Sequence, residues 1–353
     1  MVAIPVHAGT AAQPRAGTPR AVRAWLFFLI LLVFAMVLVG GATRLTESGL
    51  SITEWRPVTG TVPPLGAAAW QEAYDLYRQS PQYELLNRGM SLADYKTIFW
   101  WEWAHRQLGR FIGLVYLAGF LWFALRRAVP PRTIAVLGVL GLLLATQGAV
   151  GWIMVASGLQ PGMTAVAPVK LALHLTLACL FFAALVAMFV RSGGAEPERA
   201  SAGISFLASL LIVLAFAQIA LGGLVAGHDA GLAYNTWPLM DGQLVPDGLT
   251  LLEPLWLNSV DNVLAIQFNH RIGAYLLGAA ILAYAIVARR ESRTAQGRAL
   301  LLAALVLVQV AVGVATLVAQ APIGLALVHQ GMALILLLVL VWNRSVFRRA
   351  LPV

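Results

Sequence analysis

The sequence predicts an all-α integral membrane protein of eight transmembrane helices, arranged as two pseudo-symmetric four-helix bundles that form a parallel internal repeat. Three observations predict it. The 353 residues are 60% hydrophobic and only 11% charged, with a mean hydropathy of +0.80, well outside the make-up of soluble globular domains. Eight apolar stretches reach the length of roughly 20 residues that a bilayer core requires. "GGATRLTESGLSITEWRPVTGTVPP" from Gly40 aligns without a gap on "GGLVAGHDAGLAYNTWPLMDGQLVP" from Gly222, which marks a duplication.

Residues 1–22 are rich in Ala, Pro and Arg and contain no acid, as expected of a cytoplasmic tail; His7 has no role there. The first span, 23–42, is too long for the apolar core of a signal peptide and is expected to be retained. Spans 104–125, 133–156 and 169–190 complete an N-terminal bundle over 23–190. A cytoplasmic linker over 191–202 leads to spans 203–226, 267–288, 298–319 and 324–343, which make a C-terminal bundle over 203–343. Residues 344–353 form the C-terminal tail.

Charge sets the expected orientation. Arg15, Arg20 and Arg23, then Arg126, Arg127 and Arg132, Arg191 and Arg199, Arg289, Arg290, Arg293 and Arg298, and finally Arg344, Arg348 and Arg349 all fall on one side. Positive charge gathers on the cytoplasmic side, so both termini are expected inside a bacterial inner membrane. The loop over 227–266 carries Asp229, Asp241, Asp247, Glu253 and Asp261 with no Lys or Arg. The net charge of +9 follows from this topology, and no nucleic-acid partner is needed to explain it. Cys179 is the only cysteine, so no intrachain disulfide exists.

The repeat extends beyond the loops. "HRQLGRFIG" at His105 matches "HRIGAYLLG" at His270, "QGAVG" at Gln147 matches "QVAVG" at Gln309, and "LHLTLA" around His174 matches "VHQGMA" around His329. Four crossings return the chain to its starting side, which makes the repeat parallel. His105, His174, His270 and His329 therefore occupy matching places, each expected in the first turns of a span that begins on the outer side. Ionisable residues within spans are costly and mark function by default. Two imidazoles per bundle, with the lone Cys179 the only thiol in either, suit the two axial positions of a planar haem better than tetrahedral zinc. Gly109 and Gly273 offer each histidine a small neighbour on its own helix. Arg106 and Arg271 follow two of the histidines and either fork onto haem propionates or snorkel to the headgroups.

The halves differ at one informative position. Glu102 stands three residues before His105, and the matching residue before His270 is Gln267. At that spacing the carboxylate shares a face with His105 and can act as a base or stabilise developing positive charge. A hydrated interfacial acid paired to Arg106 is the alternative. Reaction is therefore assigned to the first half and a permanent haem to the second.

"WEWAHRQLGRFIG", "FNHRIGAY", "VHQGMA" and the two aligned loop segments resemble the haem A synthase family of cytochrome oxidase biogenesis, over nearly all of the chain beyond residue 22. The resemblance implies haem b held by His270 and His329 in the C-terminal half, with Arg271 beside it. It implies the substrate haem O, and the product haem A, between His105 and His174 with Arg106 nearby, and Glu102 as the catalytic acid. The implied reaction oxidises a porphyrin methyl group to formyl by successive hydroxylations and loss of water. The partners expected are haem O synthase, oxidase assembly factors, an electron-transfer partner, membrane lipid and a second copy of the chain. A cysteine pair carried by some members of the family in the first outer loop is missing between Gly40 and Trp100.

That loop holds an amphipathic stretch, "WQEAYDLYRQSPQYELL", expected to form an interfacial helix over the substrate pocket or simply to pack at the surface. His228 has Thr46 as its counterpart and is expected at the surface. Two other function classes use the same histidines. A dihaem b-type cytochrome that exchanges electrons with quinone treats Glu102 as a proton relay, and a transporter built on parallel repeats treats the histidines as proton sites.

Overall fold

The computed structural model describes residues 19–56, 58–193 and 197–349, with the backbone alone for 348 and 349. His7, Arg15 and the rest of the N-terminal tail to residue 18 lie outside the described residues, as do 194–196 of the linker and 350–353 of the C-terminal tail. The helices are α1 (Arg20–Leu45), α2 (Gly66–Tyr77), α3 (Pro81–Leu85), α4 (Leu92–Leu125), α5 (Pro131–Gly158), α6 (Pro168–Arg191), α7 (Ala202–Gly227), α8 (Asn258–Asp261), α9 (Val263–Ala288), α10 (Arg293–Val318) and α11 (Ile323–Ser345). Eight of them are long and apolar enough to cross a membrane, and the protein is a multi-pass membrane protein.

The helix starts follow local chemistry. Ser201 and Ser292 each accept the N–H of the residue three positions on, and Asn262 accepts from Leu264 and Ala265, which satisfies donors that a helix start leaves open. Pro131 and Pro168 begin α5 and α6, where a missing N–H costs nothing. The second span departs from expectation: it begins at Leu92, not at residue 104. Ser91 and Asp94 close a capping box there. The added turns carry Asp94, Lys96 and Glu102, which depress hydropathy, yet they pack through Tyr95, Ile98 and Phe99 onto the outer loop. His105 consequently lies several turns inside its helix. The sixth span likewise begins at Val263, four residues before 267.

The inner helices are α1, α6, α7 and α11, with α6 and α11 each touching the other three; α4 and α5 flank them on one side and α9 and α10 on the other. Contacts α1–α4, α4–α5 and α5–α6 in the first half match α7–α9, α9–α10 and α10–α11 in the second. Glu47 and Asp229, aligned in the repeat, both take left-handed φ angles of 52° and 51° just past the end of their helices. Because lipid is as apolar as a leucine side chain, close packing must hold such helices together. Gly223 and Gly227 provide it between α6 and α7: a Cβ at either would stand 2.7 Å from the Cα of Ala172 or Pro168. At the end that carries the loops after α1 and α7, Arg44 of α1 reaches across to Asp229 at 2.6 Å, joining the two halves.

At the opposite end, β1 (Glu198–Ala200) pairs in parallel with β2 (Phe347–Arg349). Glu198 sits in this clamp, accepting from Thr294 Oγ1 at 2.9 Å, Arg298 Nη2 at 2.7 Å and the Ser292 hydroxyl. Burial alone would raise its carboxyl, but these hydrogen bonds and the Arg298 charge outweigh it and hold the group below its ordinary range. A carboxyl lowered by folding contributes stability above its unfolded pKa of about 4.3, and that contribution is lost as pH falls through the folded value. Thermal unfolding in detergent is expected to show this loss at acid pH in the unaltered protein and no such component in Glu198→Gln; identical pH profiles would contradict it.

Candidate functional site

Each of the four span histidines projects from one helix onto a glycine of its neighbour. A Cβ at Gly151 on α5 would lie 2.7 Å from Cε1 of His174, and one at Gly313 on α10 would lie 2.7 Å from Cε1 of His329. At Gly222 on α7 the distance to Cε1 of His270 would be 3.2 Å, and at Gly40 on α1 the distance to Nε2 of His105 would be 3.1 Å. Any side chain on these glycines would displace a ring. The four imidazoles are half-buried, and His105 lies within electrostatic reach of His174, as His270 does of His329. The two pairs read from the repeat are thus brought together. The small neighbours differ from those expected: Gly109 faces Met36 and Gly273 faces Gln218, because the rings lean onto the adjacent helix and not along their own.

Three glutamines touch the histidines, a role that sequence reasoning missed. Gln147 Nε2 donates to the His174 carbonyl at 3.0 Å and lies 3.3 Å from ring Nε2. Gln218 Nε2 donates to the His270 carbonyl at 3.0 Å and lies 3.0 Å from Nδ1. Gln309 Nε2 donates to the His329 carbonyl at 3.1 Å and lies 3.2 Å from Nδ1. The signal was present in the repeated "QGAVG" and "QVAVG": a glutamine four residues before a glycine puts both on one helical face.

Glu102 is only 2% exposed. Its Oε2 accepts from Ser51 Oγ at 2.8 Å and from the Ile52 N–H at 2.7 Å, while Oε1 accepts from Arg106 Nη2 at 2.6 Å and Nε at 3.1 Å. It is paired with Arg106 as the alternative reading had it, but it is buried. Arg106 Nη2 also donates to the Ile52 carbonyl at 2.8 Å. In the other half Gln267 Nε2 donates to the Ala230 carbonyl at 2.6 Å and to that of Ala233. Arg271 Nη2 donates to Gln267 Oε1 at 2.8 Å and to the Tyr234 carbonyl at 2.7 Å. Ile52 and Tyr234 are partners in the gapless alignment. Both arginines therefore turn inward to clasp their own outer loop, and neither snorkels outward. The Nε of Arg271 is buried without a hydrogen-bond partner.

The expected amphipathic helix is two helices, α2 and α3, separated where Ser80 caps the turn before Pro81. With α4 and the preceding loop, α2 encloses a cavity of about 330 Å³ whose wall includes Trp103, Arg106 and Arg110. This cavity lies against the loop that Glu102 holds, and none of the four histidines lines it. His228 is not a surface residue: its side chain is 11% exposed and its Nε2 lies 2.8 Å from the Val260 carbonyl, tying the end of α7 to the approach to α9. Among the described residues no cluster of three or more His, Cys, Asp or Glu suited to a bare metal ion occurs.

Comparison with known proteins gives this arrangement a family. A protein named heme A synthase from Methylorubrum populi is 54% identical over 321 residues, covering 90% of this chain and 84% of its own. Proteins of that name from Methylobacterium sp. and Mesorhizobium japonicum are 52% and 49% identical, covering 94% and 96% of this chain and 94% and 93% of theirs. With the model of the cytochrome oxidase assembly protein family matching residues 23–341, which reach from the first span into the eighth, the chain belongs to the COX15-CtaA family.

Proposed function

We propose that this protein is a heme A synthase: an oxidoreductase that converts haem O to haem A, with the substrate between His105 and His174 and a resident haem b between His270 and His329. The observation that carries the reading is two matched pairs of half-buried imidazoles, each ring seated on a glycine, with a buried carboxylate three residues before a histidine in the first half only. The residues fit iron porphyrins. Two facing imidazoles per half suit axial ligation, the glycines leave the rings room, and the unpartnered Nε of Arg271 is a donor suited to a propionate.

The net reaction takes a methyl group and water to a formyl group, releasing four electrons and four protons. The resident haem b supplies one-electron transfer when bound. The protein's own share is to hold the substrate at His105 and His174, to exclude bulk water, and to place Glu102 with Arg106 beside the site. The clasp of Glu102 on Ser51 and Ile52 couples the first outer loop to the helix that bears His105. A carboxylate there favours positive charge developing on the substrate and can take a proton from incoming water once a hydrogen bond is released. The neutral amide of Gln267 does neither.

The arginine distribution supports cytoplasmic termini and a bacterial inner membrane. The duplicated segments support two units over 23–190 and 203–343. Haem O synthase, oxidase assembly factors and a separate electron acceptor are the partners that such chemistry calls for.

The test is the pigment of the purified protein, extracted and identified by mass. Haem b together with haem O or haem A is expected. Two equivalents of haem b alone would make the protein a dihaem cytochrome, and a colourless protein from haem-replete cells would overturn the reading altogether.

A further inference from the structure

The glutamine and glycine neighbours of the histidines form one device used at every ring, with one exception. Gln147 precedes Gly151, Gln218 precedes Gly222 and Gln309 precedes Gly313, each by four residues on the helix facing a histidine. The fourth copy precedes Gly40, and there the residue is Met36, which pairs with Gln218 when the alignment of Gly40 on Gly222 is continued four residues upstream. Met36 lies against Gly109 on the helix of His105. Alone of the four, the ring of His105 makes no hydrogen bond among the described residues.

An imidazole that ligates iron through Nε2 keeps its proton on Nδ1, and an acceptor for that proton fixes the ring's tautomer and orientation. Gln147, Gln218 and Gln309 each have a buried Oε1 with no partner, beside a ring that the same amide already touches. At Gln218 and Gln309, whose amides touch Nδ1, half a turn trades the donor bond to the histidine carbonyl for an acceptor aimed at Nδ1–H; Gln147 instead touches His174 at Nε2, and the Nδ1 of that ring has no partner. A thioether can do neither job: it donates nothing to a carbonyl and accepts only weakly.

We propose that Gln218 and Gln309 are positioning residues that lock both ligands of the C-terminal haem, whereas in the N-terminal half Gln147 meets His174 at Nε2 and Met36 leaves His105 unlocked, making the N-terminal haem the exchangeable one. This rests on the proposed placement of haems at the two histidine pairs. It supplies a physical basis for different fates in the two halves. A ring already held loses little freedom on ligation, whereas a free ring must be ordered each time. A resident cofactor suits two locked imidazoles, and a substrate that enters and a product that leaves suit rings whose Nδ1 is not held.

The experiment follows haem transfer from the full-length, detergent-purified protein to excess apomyoglobin, with the midpoint potential of the haem retained. The unaltered protein is expected to lose haem in two phases, the faster absent from His105→Ala. Met36→Gln is expected to slow the fast phase, and Gln218→Met to speed the slow one, each by roughly tenfold or more. Gln218→Glu should keep its haem and lower the midpoint potential, because a carboxylate accepts more strongly from Nδ1–H and makes the imidazole a stronger donor. A merely space-filling role for Gln218 would leave the potential unmoved in Gln218→Glu. Unchanged loss rates in Met36→Gln, or Gln218→Met and Gln218→Glu behaving alike, would overturn the proposal while leaving the function intact. If Gln218→Met does not fold, Met36→Gln and Gln218→Glu still decide. A colourless unaltered protein would instead sink the functional reading on which the proposal rests.

Discussion

His270→Ala is expected to reduce bound haem from two equivalents to one and to abolish conversion of haem O. The ring rests on Gly222 and its carbonyl accepts from Gln218, so the position is built around an imidazole. Changing a residue that merely supports a ligand typically costs 10–100-fold in affinity, and loss of the axial ligand itself should cost at least about a hundredfold. His329→Ala should behave alike, since its ring is held in the same way by Gly313 and Gln309. Haem extraction and pyridine haemochrome spectra measure the effect, with circular dichroism to show that the helices remain. Haem O should still bind in the N-terminal half of either variant. If His270→Ala retained both haems, the C-terminal ligand assignment would be wrong; if it lost both, the halves would not bind independently.

The features legible in the sequence are those that depend on short-range pattern. Spans could be found because apolar length is set by bilayer thickness, and the repeat because the outer segments at Gly40 and Gly222 kept their spacing. His105, His174, His270 and His329 stood out because an imidazole in a span needs a reason. The start of α4 was hidden because its first turns mix Asp94, Lys96 and Glu102 with aromatic residues, and only the fold of the loop above them makes a buried surface. The glutamines were visible as letters in a repeated motif, but their role depends on which helix stands beside which. That pairing of α5 with α6, α7 with α9 and α10 with α11 is tertiary information. The same holds for Glu102: nothing local announced Ser51 and Ile52 as its partners.

Those partners sharpen what Glu102→Gln should do. The carboxylate accepts all four of its hydrogen bonds, two from the loop and two from a guanidinium. An amide of the same shape offers one oxygen and two donors, so either Arg106 or the pair Ser51 and Ile52 faces an N–H group. Breaking a buried ion pair from one side costs roughly 3–5 kcal/mol, reduced here because Arg106 keeps its bonds to the Ile52 and Glu54 carbonyls. The variant should therefore retain haem at both sites, lose turnover by at least about a hundredfold, and show earlier proteolysis of the loop between α1 and α4. Gln267→Glu tests the same logic in reverse, since Gln267 donates to two backbone carbonyls that a carboxylate cannot serve. It should lower stability by about 1–3 kcal/mol without creating a second reactive half. If the Glu102→Gln protein turned over normally with its loop intact, the carboxylate would have neither a chemical nor an anchoring role. If instead the loop loosened while turnover persisted, Glu102 would be a clasp alone, and the proton and charge chemistry assigned to it would have to come from another group.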